Sequence, residues 1–273
     1  VGAILALSGT AMQGLFRNPL ADPSLIGVTA GASLGAAIVI VIADLNVSSD
    51  FQLSLVSAGA FSGGLLAVIV VYRLATSANG TSVATMLLAG IAITALAGAL
   101  GSLLEFQADN DMLRRISLWK MGAIDSANYS RLMLAGSTCL LLTLSIPRYA
   151  HALDAMLLGE SEARHLGIDT DKVKRTLVVL VALGVGICVA LVGTIAFVGL
   201  VVPHLMRLLI GPAHKGLLPA SALAGALLLV FADMLSRTVL APAEIPVGII
   251  TAIAGVPFFI VLLRQRHQYG MQS

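Results

Sequence analysis

Long apolar runs separated by short polar stretches are the main feature of this sequence. Runs without a formal charge lie at 1–16, 23–43, 51–72, 74–104, 132–147, 176–206, 216–232 and 245–263. A membrane-spanning helix needs about 20 mainly apolar residues, and fewer where it is short or buried in protein. We therefore predict nine spans, at 1–16, 25–43, 52–72, 81–104, 130–147, 174–194, 196–210, 217–235 and 245–263.

The longest apolar stretch is divided into two of these spans. It contains Gly193 and Pro203, and both residue types weaken a helix interior. We place the break near Gly193, which leaves 196–210 as a short span. Pro203, Pro246 and Pro257 are all expected at membrane depth, where proline is tolerated beside neighbouring helices or a cavity. They are therefore candidate helix breaks near a transport pathway.

One long polar segment, residues 151–175, interrupts the apolar pattern. It carries nine of the 30 charged residues of the chain. Its glycines, Gly159 and Gly167, can end helical turns because glycine accepts a positive φ. We predict a short helix with charged flanks and a small apolar patch, which would fit a cleft on a partner protein. A solvated loop without a partner is the alternative.

The composition supports a membrane protein. The mean hydropathy is +0.98 and 11% of the residues are charged, whereas soluble domains carry about 25%. We predict an all-α, polytopic transmembrane helical bundle that forms a single domain over residues 1–273. The net charge of +2 gives no indication of nucleic acid, and none is expected as a partner. Cys139 and Cys188 lie in apolar runs and are expected as small buried side chains, and no metal site is expected.

The distribution of Lys and Arg predicts the orientation, because cytoplasmic loops are enriched in these residues. One side of the predicted bundle collects Arg17, Arg73, Arg148, Arg164, Lys172, Lys174, Arg175, Arg207, Lys215, Arg264 and Arg266. The other side has Arg114, Arg115, Lys120, Arg131 and Arg237. The polar segment and the C-terminus are therefore expected in the cytoplasm and Val1 outside, which predicts a further helix before Val1.

Pairs of glycines spaced by four residues are expected to set helix contacts. Gly31 and Gly35 form one pair, and Gly59 and Gly63 form the other. Small residues at this spacing let two helix backbones approach closely in lipid, where apolar burial does not drive association. We favour packing inside the bundle over a seam between two copies of the chain.

Several chemistries are not supported by the sequence. It contains neither GxxxxGK[ST] nor HExxH, so no P-loop and no zincin site are predicted, and no catalytic residue is assigned. Acidic residues near the predicted span ends are Asp44, Asp50, Glu105, Asp109, Asp111, Asp233 and Glu244. With none of these near mid-membrane, an ion-driven secondary transporter is disfavoured, although it stays the alternative class.

Asp233 and Arg237 have the i, i+4 spacing of a local ion pair.

Four stretches together resemble one family. They are QGLFRNPLADP (13–23) with Gly27, Gly31 and Ala32; LGE (158–160) with ARHLG (163–167); FVGLVVPH (197–204) with Arg207; and Ala232, Asp233 and Arg237 with EIPVG (244–248) and GVP (255–257). In this combination and order the chain resembles BtuC-like permease subunits of bacterial ABC importers for iron-siderophores, haem and cobalamin, the FecCD family. The resemblance covers essentially the whole chain.

The resemblance implies a type II ABC importer permease with ten helices, the first of which has no counterpart here. It implies a multi-pass protein of the bacterial inner membrane that pairs with a second copy of itself. Two cytoplasmic ATPase subunits and a periplasmic substrate-binding protein would complete the complex. ATP would be hydrolysed in the separate ATPase subunits, so the chain itself is expected to have no enzyme activity and no permanently bound cofactor.

The resemblance also implies roles for individual residues. Those expected to couple the permease to the ATPase are Leu158, Gly159, Glu160, Ala163, Arg164, Leu166 and Gly167. Arg237 resembles an arginine that receives an acidic residue of the binding protein, and Arg114 and Arg115, expected in an outer loop, are further docking candidates. The whole sequence looks most similar to haem permeases, with ferric siderophore and then cobalamin as the alternatives.

Overall fold

The computed structural model describes residues 1–42, 49–78, 80–125 and 127–269, most of which lie in helices. The helices are α1 (Gly2–Leu15), α2 (Val28–Ile42), α3 (Ser49–Ala75), α4 (Val83–Gln107), α5 (Asn110–Met121), α6 (Tyr129–Ser145), α7 (Ala150–Leu158), α8 (Glu160–His165), α9 (Thr170–Val192), α10 (Val198–Ile210), α11 (His214–Thr238) and α12 (Val247–Tyr269). Asp44 lies outside the described residues, as do the side chains of Asp50, Arg264 and Arg266.

The apolar helices coincide with the predicted spans. In the described part of the chain, five helical segments are long and apolar enough to cross a membrane: Gln52–Ala75, Val83–Gln107, Tyr129–Leu158, Thr170–Val192 and His214–Thr238. Shorter apolar helices lie at Gly2–Leu15, Val28–Ile42, Val198–Ile210 and Val247–Ile260. Each of these elements overlaps one predicted span. The prediction of an all-α transmembrane bundle is therefore confirmed.

The break in the longest apolar stretch lies where Gly193 predicted it. Gly193 caps α9 with φ 72°, and Phe197 precedes α10 with φ 69°. Of the prolines predicted as candidate helix breaks, Pro203 and Pro257 lie inside helices α10 and α12. Pro246 lies in the non-helical segment directly before α12, a position that needs no helical hydrogen bond from it. Proline removes one donor, and packing by neighbouring helices is enough to keep the helix intact.

Helix α1 is the centre of the bundle and packs against α9, α10 and α11. Every residue of α1 except Ala3 is buried. Its glycines bring backbones together: a Cβ atom at Gly9 would overlap the carbonyl oxygen of Gly199 in α10, and one at Gly2 would overlap that of Gly225 in α11. Because no side chain separates these backbones, α1 acts as a common packing surface for the later helices.

The two glycine pairs join α2 to α3, which agrees with the predicted packing inside the bundle. A Cβ atom at Gly31 would overlap the carbonyl oxygen of Gly63, and a Cβ atom at Gly35 would overlap that of Gly59. The small residues are therefore used for packing inside the bundle. Substitution by any larger residue would force the two helices apart.

Helix α5 was missed by the sequence analysis. The Asp109 side chain caps it by accepting a hydrogen bond from the Met112 N–H at 2.8 Å. Arg114 and Arg115 lie on this helix, so the connection predicted as an outer loop is helical at these positions. The hydropathy pattern could not show α5, since a short amphipathic helix at the end of a bundle has no long apolar run. Its capping Asp was the available signal.

Two very short strands connect α3 to α4. Strand β1 (Thr76–Ser77) pairs antiparallel with β2 (Gly80–Thr81). Ser82 then begins α4, and its side chain accepts a hydrogen bond from the Thr85 N–H. This β1–β2 hairpin lies at the same end of the bundle as α7 and α8, which we call the polar end. The opposite end, which carries α5, the last turn of α11 and the start of α12, is called the α5 end.

Candidate functional site

Helices α7 and α8 form the candidate site at the polar end. Gly159 has φ 131° and stands between the two helices, and Gly167 follows α8 with φ 81°. Both backbone conformations are unfavourable for residues that carry a Cβ atom. The prediction of a short helix bounded by these glycines is confirmed. Its assignment as the coupling segment stays a prediction.

The expected coupling residues face in two directions. Leu158 and Leu166 are 71% and 65% exposed and supply the predicted apolar patch. The Arg164 side chain is 52% exposed. Ala163 is completely buried, and the Glu160 carboxylate points inward. The segment therefore presents leucine side chains to the outside while other residues attach it to the bundle.

The inward attachment depends on Lys174, near the start of α9. Its side chain is only 1% exposed. The Nζ atom donates to Glu160 Oε2 at 2.7 Å and to the Thr81 carbonyl at 2.7 Å, and lies 3.7 Å from Asp171 Oδ1. A buried ammonium is strongly disfavoured unless it is paired and hydrogen-bonded. Glu160 and Thr81 accept its hydrogen bonds, and the Asp171 carboxylate adds a second negative charge nearby. Lys174 therefore joins α8, α9 and the β1–β2 hairpin.

Asp171 extends this cluster. Its Oδ1 accepts a hydrogen bond from the Thr81 N–H at 3.1 Å, and its Oδ2 accepts one from Arg164 Nη2 at 3.2 Å. Arg164 Nε also donates to Thr170 Oγ1 at 3.0 Å. The hairpin approaches Asp171 closely at Gly80, where a Cβ atom would lie 2.9 Å from Oδ1. Thr81 is thus held through its backbone N–H by Asp171 and through its carbonyl by Lys174, and Asp171 is also held by Arg164.

A second buried contact attaches α7 to α11. Asp154 Oδ1 accepts a hydrogen bond from the His214 N–H at 3.0 Å and lies 2.6 Å from His214 Nδ1. The His214 side chain is completely buried. The end of α1 packs on it, since a Cβ atom at Gly14 would lie 2.5 Å from Nε2. The polar segment is therefore attached at two points, one in each of its helices.

Arg237 is the centre of the charges at the α5 end. Its Nε donates to Asp233 Oδ2 at 3.0 Å, which confirms the predicted i, i+4 ion pair. Its Nη1 lies 3.6 Å from Glu244 Oε1, and Nη2 donates to the Ile124 carbonyl at 3.3 Å. The side chain is nevertheless 43% exposed. It can therefore meet a charged partner from outside the chain.

A cavity of about 540 Å³ opens beside Arg237. Its polar lining includes Arg115, Arg131, Arg237, Asp125, Asp233 and Glu244. The structure thus brings two of the docking candidates, Arg115 and Arg237, to one cavity. Arg114 is exposed on α5 and does not line it. Pro246 also borders the cavity, whereas Pro203 and Pro257 do not.

The whole chain can be compared with known proteins. The model of the FecCD transport family matches residues 1–265. The chain belongs to the FecCD transport family. It is 46% identical over 275 residues to the hemin transport system permease protein HmuU of Yersinia pestis, which covers 98% of the chain and 80% of that protein. It is 41% identical over 266 residues to the cobalamin import system permease protein BtuC of Halobacterium salinarum, with 97% and 70% covered.

Solved structures agree with this family. A metal-chelate type ABC transporter in an inward-facing conformation superimposes with a TM-score of 0.88 at 33% identity, covering 97% of this chain and 82% of the other. PsaBC of Streptococcus pneumoniae in complex with Fab gives a TM-score of 0.55 at 20% identity, which supports the fold alone. This FecCD-family chain is a multi-pass membrane protein with the permease fold that the sequence predicted.

Asp22 is an acidic residue between the predicted spans 1–16 and 25–43. It accepts a hydrogen bond from the Ser24 N–H at 2.8 Å and caps the 3₁₀ turn Pro23–Ile26. It lines a cavity of about 330 Å³ inside the bundle together with residues of α1, α9 and α10. An acidic side chain outside the predicted spans therefore lies beside a cavity among the helices. FecCD membership, and not the position of acids, supports the transporter class.

The burial of Lys174 was not predicted from the sequence, where it stands at the boundary between the polar segment and the predicted span 174–194. It shares the buried face of α9 with Thr170, Leu177 and Val178, at the i−4, i+3 and i+4 positions. This helical spacing was the signal that could have found it. Across the described residues, no group of three or more His, Cys, Asp or Glu side chains is arranged to hold a metal ion.

Proposed function

We propose that this FecCD-family chain is the transmembrane permease of an ATP-driven importer that moves haem from the periplasm to the cytoplasm of a bacterium. The observation that carries the proposal is the 46% identity to the Yersinia pestis hemin permease over 98% of the chain. Cobalamin is the substrate of a relative at 41% identity, so it is an alternative cargo together with a ferric siderophore. The chain would lie in the inner membrane with the polar end in the cytoplasm.

The complete importer would contain two copies of the chain, two ATPase subunits and a periplasmic binding protein. The permease copies would bind no permanent cofactor, and ATP would be used by the ATPase subunits. The polar end suits an ATPase because Leu158 and Leu166 are exposed beside charged side chains. Apolar side chains surrounded by polar groups are the usual arrangement of a protein interface.

The coupling segment would transmit movement because it is rigidly attached. Glycine-bounded α8 would sit in a cleft of the ATPase, with Leu158 and Leu166 as its apolar contacts and Arg164 at its edge. Glu160 and Ala163 face the bundle and hold α8 in place. Closure of the ATPase on ATP would push α8, and the push would pass to the membrane helices.

The α5 end would receive the binding protein. Arg237 is held in a fixed position by Asp233 and Glu244 but keeps 43% of its side chain exposed. An acidic side chain of the binding protein could approach it, and Arg115 borders the same cavity. Arg114 on the exposed side of α5 would add to the positive potential. Charges at the rim of an interface mainly steer docking and depend on salt.

Transport into proteoliposomes tests the proposed function. The permease and its ATPase are reconstituted with ATP inside, and the binding protein is added outside, loaded in turn with haem, a ferric siderophore or cobalamin. We expect ATP-dependent uptake of haem. Uptake of another cargo would keep the importer and replace the substrate. Transport that ignores ATP and follows an ion gradient would overturn the importer in favour of a secondary transporter.

A further inference from the structure

We propose that Lys174 is a positioning residue that makes α8 and the β1–β2 hairpin move as one unit. This inference rests on the proposed function, since it assigns to Lys174 the path from the ATPase contact to the membrane helices. Lys174 itself is buried beneath α8 and cannot reach a partner protein. Lys174 would therefore act through Glu160 and Thr81, which accept its hydrogen bonds.

The hydrogen bonds of Lys174 join segments that are far apart in the sequence. Glu160 lies 14 residues before it, at the first position of α8. Thr81 lies 93 residues before it, at the end of the hairpin. Both acceptors are 2.7 Å from the same Nζ atom. A single buried atom thus fixes the distance between α8 and the connection from α3 to α4.

Such a contact transmits movement more faithfully than apolar packing does. Apolar surfaces can slide past each other with little change in buried area, because the hydrophobic effect is non-directional. A buried ammonium that loses one of its acceptors is left with an unsatisfied charge, which is strongly disfavoured. A displacement of Glu160 would therefore pull Lys174 and Thr81 with it.

The hairpin in turn is continuous with two membrane-crossing helices. Thr81 is followed directly by Ser82, which caps α4, and β1 follows directly on Ala75, the last residue of α3. The Thr81 N–H is held by Asp171, so the hairpin cannot easily rotate away from α9. Movement of α8 would thus reach the ends of α3, α4 and α9 at one point.

The test compares Lys174→Met with Lys172→Met in the full reconstituted complex. Methionine fills the buried space, while Glu160 and Asp171 are 30% and 41% exposed and can be hydrated, so Lys174→Met should fold. Lys172 has the same charge two residues earlier but is exposed. We measure haem taken up per ATP hydrolysed and expect a loss of about fivefold or more for Lys174→Met, against less than about twofold for Lys172→Met.

A merely structural role would give a different result. It would lower the amount of assembled complex, and uptake and ATP hydrolysis would fall together, leaving their ratio unchanged. The ratio is therefore measured per assembled complex purified by size-exclusion chromatography. An unchanged ratio in Lys174→Met would overturn the inference.

A double-mutant cycle with Glu160→Ala, which removes the acceptor of the Lys174 hydrogen bond, identifies the contact. If Lys174 acts through Glu160, the double variant should lose no more coupling than one single variant, because the second change removes nothing further. If the double variant lost coupling by the product of the two single losses, the residues would act independently, which would contradict the inference. Should Lys174→Met not assemble, Glu160→Ala alone decides, since water can enter the space that the part-exposed Glu160 side chain leaves. A normal uptake ratio in that variant would also overturn the inference.

The two proposals fail in different ways. If the wild-type complex shows no ATP-dependent uptake of haem, siderophore or cobalamin, the proposed function fails. If the wild-type complex is active and Lys174→Met behaves like Lys172→Met, the importer stands and only the role of Lys174 is lost.

Discussion

The two ends of the bundle use polar and charged side chains in opposite ways. At the polar end, Lys174 is 1% exposed and His214 is completely buried, and each joins separate helices. At the α5 end, Arg237 is 43% exposed and its nearest carboxylate comes from the same helix. The Lys120–Glu105 pair at that end is also partly exposed, at 43% and 31%.

The difference indicates that the polar end is held rigid, whereas the charged side chains of the α5 end stay accessible to a partner protein. Buried polar groups that lose a partner are strongly destabilised, so the contacts at the polar end hold a fixed arrangement. Exposed ion pairs contribute little to stability and are screened by salt, so the charges at the α5 end can exchange partners. A rigid coupling surface and an adaptable docking surface are what the proposed importer needs at its two faces.

The largest expected effect comes from breaking the rigid end at α8. Gly167 has φ 81°, whereas proline fixes φ near −65°, so Gly167→Pro must distort the end of α8. We expect ATP hydrolysis to continue while uptake falls about tenfold or more, within the range of measured couplings. Gly167→Asn is the control, because asparagine tolerates a positive φ. The two rates are measured in proteoliposomes.

Arg164→Glu should have a similar effect through charge. Glutamate at this position loses the bonds to Asp171 and Thr170 and places a like charge beside Asp171. Unimpaired, coupled uptake in both Gly167→Pro and Arg164→Glu would show that α8 is not the coupling segment.

A matched pair of aspartates compares the stability of the two ends. Asp154→Ala leaves the buried His214 N–H and ring unpaired, so it should destabilise the fold by about 1–3 kcal/mol. Asp233→Ala removes a part-exposed ion pair and should destabilise the fold less than Asp154→Ala does. Thermal unfolding of the two variants in detergent checks the order. If both variants lost the same amount of stability, the buried contacts of the polar end would be no more important for the fold than the exposed ion pairs of the α5 end.

Gly80→Ala tests whether the β1–β2 hairpin is held closely against Asp171. Gly80 has φ 106°, and an added Cβ atom would lie 2.9 Å from Asp171 Oδ1. We expect a destabilisation of about 1–2 kcal/mol from the backbone conformation. Gly216→Ala is the control, because nothing lies within 4 Å of its Cβ position. A melting temperature that stays the same in Gly80→Ala would mean that the hairpin readily moves away from Asp171.

The smallest effect is expected at the exposed end. Arg237→Glu should weaken docking of the binding protein about two- to fivefold at low salt, the range of exposed charge pairs, and less at high salt. Binding is measured by surface plasmon resonance at two ionic strengths. Lys215→Glu, an exposed charge at the polar end, is the control and should leave docking unchanged. Unchanged affinity of Arg237→Glu at low salt would count against the docking role.

Much of the fold could be predicted because lipid imposes a simple rule. A helix satisfies its own backbone groups, and a long uncharged run is therefore a span. The role of Gly159 and Gly167 in bounding α8 could also be predicted, since a positive φ is a local property of the chain. The family followed from motifs distributed over the whole sequence, and the match over residues 1–265 confirms it.

The attachments of the site could not be predicted because they depend on distant segments. Lys174 looks like one more surface charge until Thr81 and Glu160 are brought beside it. Asp22 occurs in a polar stretch that resembles a loop, yet the chain folds it into the bundle beside a cavity. Hydropathy describes how polar a segment is, and only the packing decides what that segment faces.

Site-specific photo-crosslinking tests the central claim most directly. A photoreactive amino acid replaces the exposed Glu162 on α8 in one sample and the exposed Asp111 on α5 in another, in the assembled complex with its ATPase and binding protein. The account predicts that position 162 crosslinks to the ATPase and position 111 to the binding protein. Crosslinks of position 162 to the binding protein, or of both positions to the same partner, would contradict it.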